Sequence, residues 1–288
     1  MNAGGFRCLS YDNRNIMGTM NLKPHTSRHG NIETTPTGWR LVISKGANTE
    51  YRLAQLDDTL HLPRRKFPER PPLILSLRAR ASSETIPGTW GFGLWNDPFG
   101  MSLGFGGRPF DLPALPNAIW FFHASPQNYL SFREDKPAQG FLAQAFRSPR
   151  FHPLLLEAGL TFPFSKRRAR KTLSQIVDED SAVVSADVTQ WHNYRLEWSK
   201  GGSAPFGSAY LEEHQVRFAT RRPAPYSRLW VDGTLVLDTP VSPHPPLGLV
   251  IWVDNQYAAF TPQGKMKWGL EENQTEAWLE VASLELKT

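Results

Sequence analysis

The sequence predicts an all-β fold, an antiparallel sandwich, on three observations. Short stretches in which apolar and polar residues alternate recur between turn residues, the pattern of half-buried strands. "HNYRLEWS" (192–199) is the clearest of these, with Tyr194, Leu196 and Trp198 on one side and Asn193, Arg195 and Glu197 on the other. The 24 prolines and 22 glycines are spread over all 288 residues, which calls for many turns and not one disordered tract. Helical spacing, finally, is confined to a short insertion near 151–180.

Residues 1–30 are polar, with no period, and read as an irregular arm; 31–288 read as one sandwich domain. His25 and His29 stand four apart, but no third ligand accompanies them and Gly30 opposes a helix, so two exposed histidines are expected. "GWRLVISK" (38–45) and "TEYRLAQL" (49–56) are short, β-rich and bounded by turn residues. "PPLILSLRARA" (71–81) sets Leu73, Leu75, Leu77 and Ala79 against Ile74, Ser76, Arg78 and Arg80. "PGTWGFGLWNDPFG" (87–100) sets Trp90, Phe92 and Leu94, a core face, against Gly91, Gly93, Trp95 and Asp97. "NAIWFFHAS" (117–125) and "LGLVIWVDNQYAAF" (247–260) are apolar strands. "SRLWVDGTLVLD" (227–238) is a hairpin turning at Asp232-Gly233, a pair suited to a two-residue turn. In "AWLEVASLEL" (277–286) the parity changes between Val281 and Leu284, which predicts a bulge.

In the insertion, "HPLLLEAGL" (152–160) has Pro153 and Gly159 where a helix begins and ends. "KRRARKTLSQIVDED" (166–180) spaces Leu173, Ile176 and Val177 for a helix, although its basic start and acidic end oppose the helix dipole. Its cluster Lys166, Arg167, Arg168, Arg170 and Lys171 has no interleaved aromatic residue and reads as a solvated loop, so no nucleic-acid partner is expected.

Composition narrows the class of partner. The net charge of +5 is small for the length, which fits an ordinary soluble surface. The one cysteine, Cys8, excludes an intramolecular disulfide. The first residues carry no secretory signal and no apolar stretch approaches eighteen residues, so a cytoplasmic location and no membrane partner are expected. The 10 Trp and 17 Phe exceed what packing needs and favour contact with flat or ring-shaped ligands. No cofactor and no metal are expected, and the oligomeric state is open.

The segments "WHNYRLEWS" and "SRLWVDGTLVLDTPV" resemble the concanavalin A-like lectin/glucanase superfamily, most closely glycoside hydrolase family 16. That family has a strand of the "FHTYRIEW" kind leading to a "WYVDGKLV" hairpin, and its "VRAKLPxGxGxWPAFWL" segment is similar to "LILSLRARASSETIPGTWGFGLWN". The resemblance spans roughly 38–286 and implies a jelly-roll sandwich with a glycan groove. It does not carry over the catalytic residues. The family's E-x-D-x-x-E motif is absent, and the strand expected to hold it, "PNAIWFFHASPQNYL", has no acid; the nearest are Asp111 and Glu134. Retaining hydrolysis needs two carboxyl groups about 5 Å apart.

Alternation then assembles a candidate groove: Gly91, Gly93, Trp95 and Asp97; Arg78 and Arg80; Phe121 and His123 if Trp120 and Phe122 pack inward; Trp252, Asp254 and Asn255, followed by Gln256 and Tyr257. Indole faces stack on sugar rings while carboxylates and amides take hydroxyls. The first reading is therefore a glycan- or small-molecule-binding domain without catalysis. The second is an enzyme, hydrolase or lyase, with relocated acid and base, either Asp97 with Asp254 or His123 with Tyr257, and with Arg78 and Arg80 available to neutralise a uronate. The third is a cleft for a hydrophobic metabolite with 151–180 as its lid.

Overall fold

The computed structural model describes residues 21–98, 114–149, 164–201 and 224–288. Cys8, Asp111 and the helix expected over 152–160 lie outside them.

Two seven-stranded antiparallel sheets pack face to face, and a two-stranded hairpin stands beside them. In chain order the strands are β1 (Lys23–Thr26), β2 (Gly30–Thr35), β3 (Gly38–Ile43), β4 (Leu53–Asp57), β5 (Leu73–Ala81), β6 (Thr89–Trp95), β7 (Ala118–Ala124) and β8 (Gly140–Arg147). After helix α1 (Lys166–Ile176) come β9 (Asp178–Val183), β10 (His192–Ser199), β11 (Tyr226–Val231), β12 (Thr234–Thr239), β13 (Gly248–Asp254), β14 (Gln256–Phe260), β15 (Met266–Leu270) and β16 (Ala277–Lys287). Sheet A runs β1-β4-β13-β6-β7-β8-β9 and sheet B runs β12-β11-β10-β5-β16-β3-β2.

Alternation decides what lies between the sheets. Leu73, Leu75, Leu77 and Ala79 of β5, with Tyr194, Leu196 and Trp198 of β10, meet Trp90, Phe92 and Leu94 of β6 in one buried core. The hairpin at Asp232-Gly233 forms as its residues require: φ is +49° and +79°, both positive, as a type I′ turn demands. The bulge in β16 falls between Ala282 and Glu285, with Ser283 at φ +52°.

Some elements differ from the sequence reading. Within the expected arm, Lys23–Thr26 forms β1 and pairs with β4. The stretch 247–260 is two strands broken at Asn255, and β14 leaves sheet A to pair with β15. The helix over 166–180 stops at Ile176, and the acidic residues after it become β9 on the edge of sheet A. Arg170 is not solvated: its Nε donates to Phe260 O at 2.8 Å and its Nη2 to Ser131 O at 2.9 Å.

Candidate functional site: the outer face of sheet A

The face of sheet A turned away from sheet B carries a second apolar layer. Trp95, Ala118, Trp120, Phe122, Phe146, Val250 and Trp252 cluster there. Ile176 and the partly buried Leu173 of α1, and Val177 just after it, pack against them, together with Tyr51, Leu115, Leu130 and Phe132. Trp95 stacks on Trp252 with ring centres 5.8 Å apart and planes 12° apart, and Trp120 lies nearly parallel to Phe122 at 5.3 Å. Trp95, Trp120 and Trp252 are only 7%, 4% and 4% exposed, so the layer is covered and is no open groove.

The glycines of β6 explain how three indoles fit on one sheet face. Register places Gly91 between Phe122 and Trp252, and Gly93 between Trp120 and Val250. A Cβ on Gly91 would come within 2.8 Å of the Trp252 ring, and one on Gly93 within 2.6 Å of the Trp120 Cβ. The missing side chains make room for the β7 backbone and, at Gly91, for the Trp252 ring; they are not an open groove floor.

Polar groups border this layer. At the end of β13, Trp252 Nε1 donates to Thr89 Oγ1 at 3.0 Å, and Thr89 Oγ1 donates to Asp254 Oδ1 at 2.8 Å. Asp254 Oδ1 also accepts from the backbone N–H groups of Thr89 and Gln256. Burial pushes the Asp254 carboxyl up to about 7, against the pull of those bonds, and the nearby Glu271 charge adds to the rise. Glu271 itself accepts from Gly88 N and from the Ser125 hydroxyl. Asn128 donates to Gly88 O and to Ser125 Oγ, which ties the loop after β7 to the same end.

The sequence candidates divide between three places. Trp95, Trp252 and Asp254 share the outer face of sheet A. Asp97 follows Trp95 in a left-handed conformation, φ +50°, with its carbonyl held by Arg64 Nη2 at 2.6 Å. Asn255 is at the same end, but its side chain is committed: Oδ1 accepts from Arg52 N, and Nδ2 donates to Glu50 O and Glu271 O. Tyr257 lies on the hairpin with its ring over Gly269.

Arg78 and Arg80 are not in this set. β5 belongs to sheet B, and because Leu77 and Ala79 face the core, the two arginines face solvent on the opposite side of the sandwich. There Arg80 pairs with Glu280 at 2.6 Å, and both guanidiniums lie over Trp191, at 5.3 and 5.0 Å from the ring centre.

The parity expected for β7 is reversed. Trp120 and Phe122 face outward, while Phe121 and His123 face the core between the sheets. His123 stacks on Trp90 at 5.4 Å, and burial lowers its pKa to about 4, so it is a neutral core residue apart from Asp254 and Tyr257. The pairing of His123 with Tyr257 as acid and base is not assembled.

Three residues of this face were missed: Gln144 on β8, and Glu179 and Ser181 on β9. A lone amide inside the apolar run "FLAQAF" was the available signal. Among the described residues, no group of three or more His, Cys, Asp or Glu is arranged to hold a metal ion.

No protein-family model matches the sequence, and no curated protein matches it. Solved structures are similar in fold. The metal-free carbohydrate recognition domain of Emp46p has a TM-score of 0.44 at 11% identity, covering 92% of this chain and 87% of that one. A legume lectin-like domain from Entamoeba histolytica has a TM-score of 0.44 at 11% identity, covering 93% and 89%. A GlcNAcα1-4Gal-releasing endo-β-galactosidase from Clostridium perfringens has a TM-score of 0.42 at 11% identity, covering 92% of this chain and 58% of that one. At this distance the likeness concerns the arrangement of strands and assigns no ligand.

Proposed function

We propose that this chain is a sugar-binding domain without the family 16 acid pair, and that its ligand engages the outer face of sheet A in a conformation that uncovers the now buried rings. The observation that supports this is the contiguous layer of Trp95, Trp120, Phe122, Phe146 and Trp252 bordered by polar side chains. Ring faces take the C–H faces of a pyranose, and the polar border takes its hydroxyls. Titration calorimetry against a panel of neutral methyl glycosides tests it. A glycoside is expected to bind, and Trp120→Phe to weaken it about fivefold, the loss of part of a stacking contact. A folded protein that binds no glycoside of the panel overturns the reading.

An enzyme on the same face is the second reading, favoured by one observation. Asp254, held near 7 beside Glu271, has the protonation range of a general acid at neutral pH. Release of reducing ends from oligosaccharides, abolished by Asp254→Asn, would support it. No release from a broad panel would remove it and leave binding.

A further inference from the structure

Helix α1 turns two different faces to its surroundings. Ala169, Arg170, Thr172 and Ile176 are buried, while Lys166, Arg167, Arg168 and Lys171 are exposed. Arg170 ties the buried face to the β14–β15 hairpin through the carbonyl of Phe260. The turn of that hairpin reaches the first turn of α1. Gly264, at φ +78°, lies so close that a Cβ there would be 2.5 Å from Arg167 N. Two elements far apart in sequence therefore end side by side.

What they bring to that place is cationic and aromatic. Lys265, Lys267 and Trp268 of the hairpin are exposed, and so is Phe164, just before the helix. A chain spans at most about 3.6 Å per residue, so Phe164 is within about 11 Å of Arg167 and Trp268 within about 14 Å of Gly264. Four large apolar side chains stand well exposed among the described residues, and two of them are Phe164, at 91%, and Trp268, at 50%. Nothing acidic offsets the cations. Residues 164–177 and 256–270 contain no Asp or Glu. The acids just after α1, Asp178 and Asp180, are paired with Arg147 and Lys136. Arg167, Lys171, Lys265 and Lys267 enter no ion pair among the described residues. The basic run has no ring interleaved with it in sequence; the fold sets one at either side.

Charge and apolar area together select a partner. The cations require an anionic one. Phe164 and Trp268 require apolar depth beside that charge, which a free phosphate or a soluble acidic chain lacks. A single-stranded nucleic acid is held by rings that follow one another along a basic groove, whereas these rings flank the cations on separate elements. A bilayer with anionic headgroups offers phosphates and carboxylates to Lys and Arg and an acyl boundary to Phe and Trp.

We propose that the exposed side of α1 and the β14–β15 hairpin form a docking surface for an anionic lipid bilayer. Arg167, Lys171, Lys265 and Lys267 pair with headgroups, and Phe164 and Trp268 enter the boundary between headgroups and acyl chains. The contact is peripheral, since among the described residues no helix is long and apolar enough to cross a membrane. The proposal departs from the expectation of no membrane partner and does not depend on the sugar-binding reading.

The test uses the full chain in vesicle flotation. Vesicles of phosphatidylcholine alone are compared with a two-to-one mixture of phosphatidylcholine and phosphatidylserine. Binding to the mixed vesicles is expected to exceed binding to the neutral ones about tenfold, and to fall as salt screens the charges. The double variant Lys265→Glu with Lys267→Glu is expected to lower binding about tenfold. Phe164→Ser and Trp268→Ser should each lower it a few-fold. All these positions are exposed, so melting temperatures should hold, and the ring variants keep the test open if the double variant does not fold. Arg65→Glu with Lys66→Glu, the same charge change on the exposed loop between β4 and β5, should cost far less.

Equal binding to neutral and mixed vesicles, or none to either, overturns the proposal. A loss no greater in the hairpin variant than in the Arg65 and Lys66 control overturns it too, because net charge alone would then attract the protein. Ring variants that bind as the unmodified protein does would show that neither ring enters the bilayer, and the surface falls as drawn. A fluorescent single-stranded oligonucleotide is titrated in parallel. If it binds, the hairpin variant abolishes that binding, and vesicles are ignored, the bilayer is replaced by a nucleic acid.

Discussion

Gly91 and Gly93 show what one missing atom does in this fold. The sequence placed them correctly on the face of Trp95 but suggested an open floor. What alternation within one strand cannot give is the register of its neighbours, and register puts Phe122, Trp252 and Trp120 beside those glycines. A glycine in a strand marks a close approach, here of the β7 backbone and the Trp252 ring. Gly93→Ala is therefore expected to destabilise the protein by about 2–3 kcal/mol, the cost of overpacking at a backbone already at φ +153°. Chemical denaturation reads this directly, and an unchanged midpoint would mean that the β7 backbone at Ile119 and Trp120 does not approach Gly93 this closely. The reversed parity of β7 has a related cause. All of "AIWFFHA" is buried, because each face of sheet A is covered, so no polar residue marks an outward side.

Among the elements, those with one wet face were legible, whereas of those buried on both faces β6 was read with the right side inward and β7 was not. β5, β10, β11 and β16 face solvent on one side of sheet B, and their alternation shows in the sequence. β8 and β9 do not alternate cleanly, and Gln144, Glu179 and Ser181 went unnoticed with them. Helix α1 lacks any acid in its first turn, and its N-cap Ser165 accepts from Arg168 N at 3.3 Å, a modest stabilisation. Tertiary contact must hold it, and Arg170 is the principal polar tie. Buried, it reaches the carbonyls of Phe260 and Ser131 and lies over the rings of Tyr129 and Phe260. Arg170→Ala leaves both carbonyls without that donor and should cost about 2–4 kcal/mol. Hydrogen exchange is expected to quicken in α1 and β14 together. Exchange that quickens in the helix alone would show that the tie to the hairpin carries little.

Over the whole molecule, buried titratable groups pull stability in opposite directions with pH. His123 is neutral in the core, with its pKa lowered to about 4 from the ordinary 6.5. Below about 6.5 the unfolded chain therefore binds a proton that the folded one refuses, and stability falls as pH drops from there toward 4. Asp58 acts the other way. Its carboxyl is hydrogen-bonded to Glu69, and burial, with the Glu69 charge, pushes it up to about 8; burial raises Glu69 too. The pair shares a proton, so the titration belongs to both groups. Between the ordinary carboxylate range and about 8 the folded state holds that proton more tightly than the unfolded chain, so stability falls as pH rises through this window. The pair sits where the chain after β4 meets the start of β13: Asp58 Oδ1 accepts from Leu249 N at 2.9 Å, and Glu69 bridges Leu247 through the backbone. Asp58→Asn keeps the acceptor for Leu249 N and removes the proton equilibrium. Its melting temperature is expected to exceed that of the unmodified protein above pH 8, with the gap narrowing as the pH falls and the pair fills with its proton. His123→Gln should flatten the acid limb and leave the alkaline side unchanged. Thermal melts from pH 4 to 9 separate the two effects. An Asp58→Asn gain that is the same at every pH would show that the carboxyl pair does not hold a proton above the ordinary range.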